Sequence, residues 1–136
     1  MKQIGALLFA AVLVAGCAMP GVRDAGLDRL APRKAEQNLS SGIRAFEDGD
    51  YDASARLLQD ALAAGLLLNS DKVAAHKYLA FMHCAESRKV ACRNAFRKAL
   101  DLNPRFDLAP AEAGHPVWGP VFRALKQSQP GSPRRA

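Results

Sequence analysis

At 136 residues, with 19 Lys and Arg against 13 Asp and Glu and a formal net charge of +6, the chain has room for one small domain. The positive excess is too modest to argue for a nucleic-acid binder. It suits anionic lipid head groups, an acidic protein face or an anionic cell-wall polymer.

The first residues read as an export signal. Lys2 supplies a positive start, residues 4–14 form an apolar run, and small residues lead to a cleavage site. The run is shorter than the roughly 20 residues that a spanning helix needs, and Pro20-Gly21 ends it. Val14-Ala15-Gly16-Cys17 resembles the bacterial lipobox. That resemblance implies a signal peptide over residues 1–16 and a diacylglyceryl group on the Cys17 thiol. Each buried methylene contributes about 0.8 kcal/mol, so two or more acyl chains anchor stably. Ala18 stands where Asp would imply retention at the inner membrane, so the resemblance points to the outer membrane, facing the periplasm. Without residues 1–16 the charge is +5, from 18 basic and 13 acidic residues. Residues 17–34 contain Pro20, Gly21, Gly26 and Pro32 and have no sustained period, which predicts a flexible tether behind the lipidated Cys.

Helical periodicity follows. Ala35, Leu39, Ile43 and Phe46 make one apolar stripe, and Gly49-Asp50 breaks it with Asp50 as the next N-cap. Ala55, Leu58, Ala61 and Leu62 continue a second helix to Gly65, and Asn69-Ser70-Asp71 offers a loop and cap. A third helix over 71–86 is apolar on most faces, which predicts burial between neighbours. A fourth runs over 90–102 to Asn103-Pro104. A short fifth spans 117–126, with Trp118, Val121, Phe122 and Leu125 on one side. Residues 127–136 read as a disordered tail.

The expected fold is all-α, with the helical domain over 35–126. The stretch Gly49-Asp50-Tyr51…Ser54…Leu58…Ala61-Leu62 and the stretch Lys89…Cys92…Phe96…Ala99-Leu100…Pro104 resemble successive tetratricopeptide units, although Ala61 and Ala99 are 38 residues apart instead of the family's 34. Two such hairpins are fewer than the usual three of a stable stack, so the segment after Pro104 is the natural cap.

Few residues suggest chemistry. With Cys17 spent on lipid, Cys84 and Cys92 form an even pair in an oxidising compartment, facing each other across a helical hairpin. They are either a disulfide or two buried thiols. His76 and His83 share one helix face, but spacing places no third or fourth metal ligand beside them. No metal, cofactor or small-molecule substrate is implied, and no catalytic arrangement is suggested. Lys89, Arg93 and Arg97 fall at i, i+4 and i+8, a row of like charge that fits either an acidic partner or a solvated face. Trp118 either packs as part of the cap or stands exposed as a binding anchor.

The lipobox, the stretch from His76 through Phe96 and the tail Gly114-His115-Pro116-Val117-Trp118-Gly119-Pro120-Val121-Phe122 together resemble the TssQ-family lipoproteins associated with type VI secretion. That resemblance implies a non-enzymatic adaptor that binds a secretion-apparatus protein while its lipid holds the membrane. The other reading is an assembly or chaperone-like lipoprotein of outer-membrane or cell-wall machinery that uses the basic helix face.

Overall fold

The computed structural model describes residues 33–130. The expected signal peptide, Cys17, the expected tether up to residue 32 and the expected tail from 131 lie outside the described residues. The described part is all-α: α1 (Lys34–Glu47), α2 (Tyr51–Ala64), α3 (Asn69–Ala85), α4 (Lys89–Leu102), α5 (Pro110–Ala113) and α6 (Gly119–Gln127). Helices α1 and α2 pair as one hairpin and α3 and α4 as a second. α3 also packs on both helices of the first, and α6 lies on α4.

The two hairpins repeat at the 38-residue offset. Helix α2 covers 51–64 and α4 covers 89–102. Asp50 N–H donates to the Ala45 carbonyl and Arg88 N–H to the His83 carbonyl, both at 2.8 Å. Gly49 N–H donates to Phe46 O and Ser87 N–H to Cys84 O, both at 3.1 Å. The residue that turns the chain is left-handed in each copy, Gly49 with φ 82° and Ser87 with φ 61°. The geometry belongs to the repeat, and only the first copy uses the residue that adopts it without steric cost.

Small residues bring the paired helices together. Ser54 is fully buried and its hydroxyl donates to the Gly42 carbonyl at 2.8 Å. A Cβ at Gly42 would lie 2.9 Å from Leu58 Cδ2. In the second hairpin Ala80, Cys92 and Phe96 take the positions of Gly42, Ser54 and Leu58, and all three are buried. Phe81, Phe96 and Phe122 form an edge-to-face series through the core, with centroids 6.0 and 5.2 Å apart. Each such ring contributes about 1.5–3 kcal/mol on leaving water.

Most expected boundaries hold to within a residue or two, and four change. Arg33 and Lys34 belong to the folded part and not to the tether: α1 starts at Lys34, and the Arg33 guanidinium donates to Gly65 O at 3.2 Å. Asn69-Ser70-Asp71 is the first turn of α3 and not a loop, with extended Leu68 as N-cap and Asp71 placed favourably for the helix dipole. The predicted fifth helix over 117–126 is α6, which begins at Gly119, and an unpredicted short helix precedes it, opened by Pro110 over Pro110–Ala113. The chain also stays ordered past residue 127, where Ser128 N–H caps the Ala124 and Leu125 carbonyls.

Candidate functional site

The cap is built around Glu112. Its Oε1 accepts from Lys77 Nζ at 2.6 Å, tying α5 to α3, and its Oε2 accepts from Ala109 N–H at 3.0 Å. Its carbonyl accepts the Trp118 indole N–H at 2.9 Å. Trp118 lies between two rings, stacked on Phe81 at 4.4 Å and on His115 at 3.3 Å. Both faces are covered and its polar edge is satisfied, so Trp118 is packed as the cap and is not an exposed anchor. Gly119 follows because a Cβ there would lie 2.4 Å from the Ala113 carbonyl oxygen.

This inward turn of Trp118 leaves its neighbour Val117 outside, 45% exposed. Val117 and Val121 stand along the seam between α4 and α6, at the end where Cys84 and Cys92 meet. The two cysteines lie at disulfide distance, with Cα atoms 5.0 Å apart, inside the usual range for a bridge. Cys84, Cys92, Val117 and Val121 line a recess of about 330 Å³ whose edge carries Lys89 and Arg93. A second recess, of about 380 Å³, runs on from it past Arg93, Pro120, Val121 and Leu125. A third, of about 170 Å³, continues past Leu125 and Ser128 to Arg97 and Asp101. Neighbouring recesses share residues, Arg93 and Val121 at one junction and Leu125 and Ser128 at the next, so they follow one another along the α4–α6 groove.

Lys89, Arg93 and Arg97 are exposed along this groove. The periodicity that put them on one face of α4 therefore also puts them beside the apolar floor. The ion pairs among the described residues are Lys77–Glu112, Arg88–Glu86 and Lys126–Asp107. None of them uses the row. Among the described residues Arg97 donates only to the Asn94 side chain, at 3.3 Å. Sequence reasoning found the cations but not Val117 as their companion, because Val117 is exposed only through the way Trp118 turns inward.

His76 and His83 lie elsewhere, in a cleft of about 430 Å³ where α2 and α4 diverge over α3. Burial holds the His76 imidazole below its ordinary value of 6.5, and Lys98 adds to the effect. His83 is lowered by burial and then by Arg88, with Glu86 opposing. His83 Nδ1 is buried without a hydrogen-bond partner. Among the described residues no group of three or more His, Cys, Asp or Glu gathers as a metal site. Among the same residues no helix is long and apolar enough to cross a membrane.

Compared with protein-family models, with curated proteins and with solved structures, the chain matches none.

Proposed function

We propose that the chain is a non-enzymatic adaptor, anchored through lipid on Cys17 to the outer membrane and facing the periplasm, where its helical domain holds a protein partner. The observation that carries this reading is the groove between α4 and α6, with an apolar floor and a row of cations that no acid of the described residues neutralises. The bridge at one end fixes α4 against α3, so the surface is presented rigidly. Rigid presentation lowers the ordering cost of binding. The likeness of the lipobox, the His76–Phe96 stretch and the Gly114–Phe122 tail to TssQ-family lipoproteins supports a type VI secretion component as the partner.

The exposed row Lys89, Arg93 and Arg97 also supports a second reading, an assembly lipoprotein whose basic face holds anionic cell-wall polymer. Salt separates the two. Polymer held by charge alone is released as ionic strength rises, whereas a partner seated on the valines is retained.

The test is purification of the lipidated full chain from its native membrane after mild cross-linking, beside a Cys17→Ser variant. The expected result is co-purification of contractile-secretion components with the wild type, and loss of membrane association in the variant. Recovery of cell-wall or outer-membrane assembly proteins alone, or a variant that stays in the membrane, would overturn the reading.

A further inference from the structure

The groove between α4 and α6 carries more than the general idea of a partner, because its shape and charge restrict what fits it. We propose that it is the docking site for an acidic amphipathic helix of a partner protein, whose apolar side rests on Val117 and Val121 and whose carboxylates meet Lys89, Arg93 and Arg97. This rests on the adaptor reading above.

Spacing is the first argument. Lys89, Arg93 and Arg97 follow each other at one-turn intervals, so their Cα atoms span about 12 Å along α4, at 1.5 Å per residue. Carboxylates four residues apart on an opposing helix have the same interval. An antiparallel or parallel helix laid along the seam therefore offers one acid to each cation. Helix-in-groove recognition works through anchors of this kind at i, i+4 and i+7.

The second argument is charge. Within α4 the row is mildly unfavourable, since like charges one turn apart repel. Lys77, Arg88 and Lys126, by contrast, each have a carboxylate within the domain. Only Asp101, at the far end of the groove, places an acid on α4. An acidic partner removes the repulsion, and steers its own approach through the same field.

Relief decides between a helix and a membrane surface. The apolar strip descends from its outer edge: Val117 is 45% exposed, Val121 is partly buried and Leu125 is buried, with the exposed cations beside it. A flat bilayer reaches Val117 and the cations but not Val121 and Leu125. A helix about 10 Å across, with side chains projecting from one face, reaches both.

The experiment uses the full-length lipidated chain in detergent micelles and a fluorescein-labelled synthetic helix. The helix is roughly 14 residues long and stapled to hold its shape, because free helices of this length are marginal. It carries Glu at three successive i, i+4 positions and Leu on the adjoining stripe. A scrambled peptide of the same composition, a Lys-for-Glu version, and vesicles of phosphatidylglycerol or phosphatidylcholine serve as comparisons. Saturable anisotropy is expected with the acidic helix alone, weakened roughly ten-fold by R93E and less by added salt, because the contact with the valines is not screened. V121D weakens it as well, and R93E does not lower the melting temperature, because Arg93 is exposed and Glu between Lys89 and Arg97 removes their mutual repulsion. Equal binding of the scrambled peptide, indifference to R93E, or R93E-sensitive binding to phosphatidylglycerol vesicles without peptide binding would each overturn the proposal. A failed peptide alongside a persistent cellular cross-link from Val117 would overturn the acidic helix and leave the adaptor reading standing.

Discussion

Ser87 holds a left-handed φ of 61° at the position 38 residues after Gly49, whose φ is 82°. The turn that joins α3 to α4 thus keeps the backbone of the turn that joins α1 to α2, down to matching hydrogen bonds, without the glycine that makes it cheap. A residue with a Cβ pays about 1–2 kcal/mol there, part of which glycine returns as extra freedom in the unfolded chain. Ser87→Gly is therefore expected to stabilise the fold by about 0.5–1 kcal/mol, read as a raised urea midpoint with an unchanged slope. A lowered midpoint would show that Ser87 is not strained.

A bridge between Cys84 and Cys92, which lie at disulfide distance, would close a short loop between α3 and α4. For a separation of 8 residues the chain-entropy account gives about 2–3 kcal/mol of stabilisation. Protein made in the periplasm should yield a linked Cys84–Cys92 peptide by non-reducing mass spectrometry, and reduction should lower the urea midpoint accordingly. Two freely alkylated thiols in the folded protein would contradict the pairing.

The cap offers its own reporter, since Trp118 is the single tryptophan. Gly119→Ala puts a Cβ 2.4 Å from a backbone oxygen, which cannot move as a side-chain end can. The expected cost is about 2–3 kcal/mol, with Trp118 emission shifted to the red as its stacking on Phe81 loosens. Unchanged emission and stability would mean that the Trp118–Gly119 geometry does not hold the cap.

His76 and His83 give the stability a sign with pH. Both are held below 6.5 in the folded state, chiefly by burial. The unfolded chain therefore takes up protons first as pH falls through 6.5, and stability declines from there downward until the folded histidines titrate as well. Above that range the contribution is constant. Urea unfolding across this range should show a slope that His76→Asn together with His83→Asn flattens. A slope that survives both substitutions would assign it to other groups.

The two hairpins were legible because their physics is local. The stripe Ala35, Leu39, Ile43 and Phe46 and the sequence Ser54…Leu58…Ala61 state a helix and a face through spacing alone, and Asp50 marks its own helix start by accepting the Ala53 N–H at 3.0 Å. What spacing does not state is which residue of a cap turns inward. Trp118 and Val117 are neighbours of similar apolar character, and the choice between them depends on Phe81, His115 and the carbonyl of Glu112, all distant or irregular in sequence. Helix α5 escaped for the same reason: four residues carry no period, and its anchor is Lys77, 35 residues away. The row Lys89, Arg93 and Arg97 was visible as a row, but the groove beside it exists only once α6 has docked.

The most direct test of a membrane-held adaptor is site-specific photo-cross-linking in intact cells. A photoreactive residue replaces Val117, beside the groove, or Leu67, which is 67% exposed in the α2–α3 connection and serves as an equally apolar control. The account predicts a discrete protein adduct from Val117, none from Leu67, and loss of the Val117 adduct when Cys17→Ser frees the chain from the membrane. Equal adducts from both positions, or lipid adducts alone, would contradict it.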